Sequence, residues 1–169
     1  MSGLLQAFAE GFLNPLLTPA HALTLLALAL CVGQQKRRGG ALLIFALALA
    51  VGFLAIVLAI ETTPARMVLL ADAAALGVMV AVVWAPKPLV WLLAATAGVA
   101  LALDSPPQAV MIAAAYTTIA GTAVGACAML VGAALIASHA KADWQRLGMR
   151  IVGSWIAASA ILVLAVQLR

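Results

Sequence analysis

The chain has 169 residues, of which 67% are hydrophobic and 8% are charged, and its formal net charge is +4. Soluble domains carry roughly 45–50% apolar and about 25% charged residues, so this composition excludes a water-soluble globular domain and predicts a polytopic membrane protein. The excess of positive charge follows from the distribution of basic loops described below, and nothing in it indicates a nucleic-acid partner.

Polar breaks divide the chain into six apolar segments of roughly the length that a membrane-spanning helix needs. Because lipid offers no partner to free backbone N–H and C=O groups, these segments are predicted to be helices. The loops between them are too short for a soluble domain, so we expect an all-α, six-transmembrane-helix bundle that forms a single integral membrane domain over 1–169. The predicted spans are approximately 12–33, 41–60, 67–85, 89–103, 109–137 and 151–168.

The first segment opens with N-P-L-L-T-P-A-H, which holds two prolines. A helix from Pro19 to Gly33 would rise only about 22 Å, which is short of a hydrocarbon core of ~30 Å. Proline interrupts helical hydrogen bonding, and Thr18 before Pro19 is typical of an N-cap and a first helical residue. We therefore expect a proline-broken first helix, with a short helix around 3–13, an irregular turn at 14–18 and a second helix from 19. Such breaks often mark binding sites in transporters.

The fifth segment, at 109–137, is longer than a straight crossing requires and is expected to tilt or to project from the bilayer. It contains Gly121 and Gly125, a G-x-x-x-G pair. Small residues at this spacing let helix backbones approach closely. Packing within the bundle is favoured here over a dimer face.

The nine basic residues are divided unequally between the two sides of the predicted bundle. Seven lie in the loops after the first, third and fifth segments, whereas Arg66 and Arg169 lie on the opposite side. The positive-inside rule then predicts a multi-pass protein of a bacterial inner membrane with both termini outside. The expected partner is the lipid bilayer, and a homo-oligomer or other membrane subunits are left open.

Two ionisable side chains fall inside apolar segments, where they are costly and usually serve a function. His21 is either a metal ligand or proton-relay residue, or a polar side chain hydrogen-bonded to a backbone carbonyl or to Thr24. Asp72 is either functional or a structural hydrogen-bond acceptor. Its candidate partners are His21 and the hydroxyls of Tyr116, Thr117, Thr118 and Thr122.

The stretch G-F-L-N-P-L-L-T-P-A-H-A-L-T-L-L-A, at 11–27, resembles the opening signature of the HupE/UreJ family, small bacterial membrane proteins associated with nickel supply to hydrogenase and urease. That signature is approximately G-F-x-H-P-x-x-G-x-D-H-x-x-x-M. The matching residues are Gly11, Phe12, Pro15 and His21. At the positions of the first histidine, the glycine, the aspartate and the methionine stand Asn14, Thr18, Ala20 and Leu25.

The family's second signature, roughly H-G-x-A-H-G-x-E, is most similar to A-G-V-A-L-A-L-D at 97–104. Gly98 and Ala100 match, and Asp104 stands in place of the glutamate. Ala97 and Leu101 replace both histidines. The resemblance therefore implies the family's framework with a reduced set of metal ligands.

The resemblance implies transport of a small divalent cation, nickel or a similar ion, which favours imidazole nitrogen together with carboxylate or water oxygen. No resident cofactor is expected besides this transported metal ion. The predicted metal-site residues are His21, Asp72, Asn14 and Asp104. They are expected in a polar cavity that opens outward among the first, third and fifth spans, and Thr18 and Tyr116 are expected to line it as well.

Two readings of the function stay open. The first is the cation transporter, and any transport should then fall as the pH drops and His21 becomes protonated. The second is a non-transporting accessory or scaffold subunit of a larger membrane complex, because the family's histidines are missing and alanine-rich faces suit packing in lipid. The sequence holds no phosphate-binding glycine loop, no paired catalytic carboxylates and no nucleophile with a nearby base, so no enzyme activity is expected.

Overall fold

The structure is a computed structural model that describes residues 2–35, 39–58, 65–107 and 111–167. Within these ranges the chain forms seven helices, which confirms the predicted all-α class. The helices are α1 (Ser2–Leu17), α2 (Pro19–Gly33), α3 (Gly39–Val57), α4 (Ala65–Val82), α5 (Lys87–Leu103), α6 (Ile112–Ser138) and α7 (Asp143–Gln167).

The number of candidate membrane spans is smaller than the six predicted. Among the described residues, α3, α4, α6 and α7 are long and apolar enough to cross a membrane, and α1 with α2 forms a fifth candidate bent by 70°. The remaining apolar helix, α5, has 17 residues, about 25 Å at 1.5 Å per residue. It is short because Pro86 stands immediately before its first residue and Asp104 caps its end. The chain is thus a helical protein with four to five candidate membrane spans.

The break in the first segment is narrower than the predicted irregular turn at 14–18. α1 continues through Pro15 to Leu17, and only Thr18 leaves the helical conformation, with φ −89° and ψ 113°. Backbone hydrogen bonds are kept on both sides of this residue, since the Thr18 N–H donates to the Asn14 carbonyl and the Thr18 carbonyl accepts from the Ala22 N–H, each at 3.0 Å. An extended residue before Pro19 is what the proline ring requires, so the kink needs one residue only.

α2 is the central helix and packs against α4 and α6, with further contacts to α5, α7 and α1. Two hydrogen bonds fix its register on α4: the Thr24 hydroxyl donates to the Leu69 carbonyl at 2.8 Å, and the Cys31 thiol to the Leu76 carbonyl at 3.5 Å. Both bonds join residues 45 apart in sequence, so α2 and α4 run parallel. α5 runs the other way. We call the end of the bundle that holds the first residues of α2 and α4 and the last residues of α5 the Asp104 end, and the opposite end the Lys141 end.

α1 packs against α6 through glycines on both helices. A Cβ atom at Gly121 would meet the backbone of Phe8, and one at Gly125 would meet the backbone of Phe12. Gly11 of α1 lies in the same way against the backbone of Thr118. The G-x-x-x-G pair therefore holds α1 of the same chain against α6, and this contact places α1 beside the candidate site.

Candidate functional site

The centre of the candidate site is a contact between an imidazole and a carboxylate at the Asp104 end. His21, in the first turn of α2, is fully buried, and its Nε2 lies 3.0 Å from Oδ2 of Asp104. Asp104 caps the C-terminus of α5, and its side chain is 15% exposed. The two residues are 83 apart in sequence. They meet because α2 begins, and α5 ends, at the same end of the bundle.

The Asp104 carboxylate has a second basic neighbour. The Nε atom of Arg66, in the first turn of α4, lies 3.7 Å from the same Oδ2 atom, and the Arg66 side chain is 55% exposed. Ion pairs with an exposed partner contribute little to stability. The pair therefore matters mainly for its position: the carboxylate stands between a buried imidazole and a guanidinium that reaches solvent.

Neutral polar side chains join the break between α1 and α2 to the end of α5. The Thr18 hydroxyl donates to Oδ1 of Asn14 at 3.2 Å, and Nδ2 of Asn14 donates to the hydroxyl of Ser105 at 3.2 Å. Ser105 directly follows Asp104, so this chain of hydrogen bonds fixes the kinked segment beside the carboxylate. The break in the first span is thus part of the site.

A cavity of about 580 Å³ opens beside these residues. One of its walls is a single face of α1, on which Gln6, Glu10 and Asn14 recur every four residues, as neighbours on a helix face do, and Thr18 extends this wall just after the helix ends. The opposite wall is α6, which contributes Ala114, Thr118 and Thr122, and the floor and rim are formed by Arg66, Asp104, Ser105 and Pro106. Among the described residues, the cavity is therefore lined by two carboxylates, those of Glu10 and Asp104, and by the guanidinium of Arg66.

His21 does not line this cavity itself but contacts a residue that does. The cavity is lined by Asp104, and the buried imidazole of His21 lies against that carboxylate. The other ring nitrogen of His21, Nδ1, is buried and has no hydrogen-bond partner among the described residues. The Asp104 carboxylate thus lies between the cavity and the imidazole of His21.

Asp72 does not belong to this cluster. The offset of 45 residues between α2 and α4 puts His21 at the level of Arg66, so Asp72 lies six residues, about 9 Å, further along the bundle. Its neighbour on α5 is Thr96. The carboxylate is buried, and its Oδ2 atom has no hydrogen-bond partner among the described residues. The structure thus gives His21 a different acid, Asp104, from the Asp72 considered as its partner above.

Tyr116 also lies away from the site. Its side chain is 54% exposed and lines a separate cavity of about 310 Å³ with Ile56, Val57 and Pro107. Of the six residues predicted from the sequence, Asn14, Thr18 and Asp104 line the cavity of about 580 Å³, and His21 contacts its lining residue Asp104. Asp72 and Tyr116 are not brought to it.

Three further residues of the site are not among the predicted site residues. Glu10 precedes Asn14 by about one helical turn. If α1 is taken to continue through Pro15, the sequence therefore predicts that the two side chains share a helix face. Arg66 stands at the level of His21 only because of the register between α2 and α4. Nothing in the sequence indicates a role for Ser105, since serine is common in the loop that follows an apolar helix.

The donor set limits how tightly a metal ion would bind. In the described part of the chain, no group of three or more His, Cys, Asp or Glu side chains is close enough to hold a metal ion. His21 and Asp104 supply one imidazole nitrogen and one carboxylate, and the other nearby oxygens, those of Asn14, Thr18 and Ser105, are neutral. This chemistry fits a divalent cation that binds weakly and leaves again, and it does not fit a closed structural metal site.

Comparison with protein-family models, with curated proteins and with solved structures finds no match to this chain.

Proposed function

We propose that the protein transports a small divalent cation across a membrane and that His21 and Asp104 are the first ligands the cation meets as it leaves water. The observation that carries the proposal is the buried imidazole of His21 in contact with a carboxylate that lines a polar cavity. Ionisable side chains inside membrane proteins are costly and usually mark ion pathways or proton relays. A bundle that served packing alone would gain nothing from such a pair.

The geometry supports a sequence of contacts for the cation. The carboxylates of Glu10 and Asp104 attract it into the cavity, where the oxygens of Asn14 and Ser105 replace part of its hydration shell. Binding to Oδ2 of Asp104 competes with Arg66, whose exposed guanidinium can move into solvent. The cation then binds Oδ2 of Asp104 and Nε2 of His21, and the proton of the neutral imidazole passes from Nε2 to Nδ1, so that the ring stays neutral. Two strong ligands allow binding without trapping the ion.

Asp72 is proposed as the second ligand or relay group on the way. It lies about 9 Å deeper along α4, it is buried, and one of its oxygens has no hydrogen-bond partner among the described residues. An unsatisfied buried polar group costs about 1–3 kcal/mol, which supports a role other than stability. The path would thus lead from the cavity through His21 and Asp104 toward Asp72.

We further infer kinship with the HupE/UreJ family, and nickel as the transported cation. The support is that His21 and Asp104 occupy corresponding positions of the two family signatures, 83 residues apart, and lie 3.0 Å from each other. The break at Thr18, between Pro15 and Pro19, gives further support because it falls inside the first of these signatures.

The proposal counts α5 as a membrane span in addition to the five candidates, which makes six spans in a bacterial inner membrane with both termini outside. The Asp104 end then faces outward, and the basic loops face the cytoplasm. With Cys31 and Cys127 replaced by alanine, Arg37→Cys and Ala142→Cys should resist a membrane-impermeant maleimide in intact cells and react after lysis. Labelling of either position in intact cells would mean that the basic loops face outward and that the proposed orientation is wrong.

A second candidate function is the accessory or scaffold subunit of a larger membrane complex. The observation that favours it is the lack of a group of three metal-ligating side chains in the described ranges. On this alternative the purified protein binds no metal ion and co-purifies with other membrane subunits, so the experiment below separates the two.

Nickel binding to the purified protein tests the transporter. Wild type should bind about one Ni²⁺ per chain in equilibrium dialysis, and His21→Ala and Asp104→Asn should each weaken binding by about 10–100-fold, since even residues that only support a ligand cost that much. His139→Ala is the matched control, because His139 is the chain's other histidine and lies exposed at the opposite end. Binding should also be lost at acidic pH, since both ligands must be deprotonated. A wild type that binds no divalent cation would contradict the proposal.

A further inference from the structure

A second cavity, of about 480 Å³, lies at the Lys141 end, between the end of α2, the end of α4 and the turn from α6 to α7. Of the described residues that line it, three are basic, Lys141, Arg146 and Arg150, and none is acidic. Nε of Arg150 donates to the Ala81 carbonyl at 2.9 Å, which anchors this guanidinium at the contact between α7 and α4. The cavity is therefore a positively charged pocket with one of its cations held in place.

An apolar groove of about 630 Å³ continues from this basic cavity. The two share Ala137, Ala140 and Met149 in their linings. The groove runs between α2 and the junction of α6 with α7, and its walls include Leu30 and Trp144. Trp144 is 74% exposed, as tryptophans at the boundary between lipid and water often are. A charged pocket and a hydrocarbon-lined groove thus meet at the same end of the bundle.

We propose that this composite surface binds one anionic phospholipid, whose phosphate lies among Lys141, Arg146 and Arg150 and whose acyl chain lies in the adjoining groove. Basic pockets between membrane helices bind acidic headgroups in this way. Three cations without a carboxylate select a net negative headgroup over a zwitterionic one. The groove distinguishes a lipid from a free phosphate, because a soluble anion would leave that apolar surface uncovered. The proposal is independent of the cation pathway, since it concerns the opposite end of the molecule.

The headgroup part is tested with delipidated protein and mixed micelles that contain phosphatidylglycerol or phosphatidylcholine, with bound lipid counted by native mass spectrometry. Wild type should retain about one phosphatidylglycerol per chain, and the double variant Lys141→Gln/Arg146→Gln should retain it at least roughly tenfold more weakly, since each basic side chain contributes to attraction of an anionic lipid. Lys87→Gln is the matched control, because Lys87 starts α5 at the same end but lines neither cavity. Equal retention of phosphatidylcholine, or an equal loss in Lys87→Gln, would overturn the proposal.

The acyl-chain part is tested with a glycine variant that fills the groove. Gly148 lines the groove, and a Cβ built there meets nothing within 4 Å, so Gly148→Leu should fold normally and should lower retention of phosphatidylglycerol by several-fold. Gly132→Leu is the control, since Gly132 is equally open but lies outside both linings. Free glycerol phosphate should fail to displace the lipid. Displacement by it, or unchanged retention in Gly148→Leu, would reduce the surface to a phosphate site and refute lipid binding.

Discussion

Gly125→Val should release α1 from α6 and destabilise the protein more than any other single substitution proposed for it. A Cβ at this position meets the backbone of Phe12, and a backbone atom, unlike the tip of a flexible side chain, cannot turn aside. Overpacking costs typically about 1–3 kcal/mol and occasionally more, and a backbone clash belongs at the upper end of that range. Gly121→Val, which meets the backbone of Phe8, should behave in the same way.

The measurement is thermal unfolding in detergent, with Gly132→Val as the matched control on the same helix. A Cβ at Gly132 meets nothing within 4 Å, so this variant should keep the unfolding temperature of wild type. Because α1 forms one wall of the polar cavity, Gly125→Val should also lose nickel binding, and the control should not. Equal unfolding temperatures for the two variants would mean that α1 does not pack against α6 as described.

The helices were largely predictable from the sequence because lipid restricts the backbone so strongly. Apolar stretches in a membrane have to be helical, and the polar breaks at the ends of α3, α4 and α6 divide the chain close to where these helices end. The turn predicted at 14–18 is longer than the observed break at Thr18, because both Pro15 and Pro19 are expected to interrupt helical hydrogen bonding. Pro15 removes one backbone donor only, and close packing on α6 keeps α1 helical through it.

The candidate site was harder to predict because it depends on how helices are aligned. His21 stood out as a rare ionisable residue in an apolar segment, but the acid that faces it is set by the register of α2 on α4 and by where α5 ends. That register places Asp72 about 9 Å further along the bundle than His21, and it brings Arg66 to the level of His21. Only the resemblance to the second family signature indicates a role for Asp104, which otherwise reads as an acid that follows an apolar helix. The pattern of neighbouring residues in the sequence gives no information on a contact between residues 83 positions apart.

Nickel entry into sealed proteoliposomes tests the proposed cation pathway most directly, with flux followed by quenching of an enclosed metal-sensitive dye. Wild type and His139→Ala should carry Ni²⁺ at the same rate, well above protein-free vesicles. Loss of a residue that only supports a metal ligand costs about 10–100-fold, so loss of the ligands themselves in His21→Ala and Asp104→Asn should bring the flux close to that background. Asp72→Asn should bind nickel as wild type does and carry it more slowly, because it lies beyond the first ligands. A wild type that carries no more nickel than empty vesicles, or a His21→Ala variant that carries it at the full rate, would contradict the account.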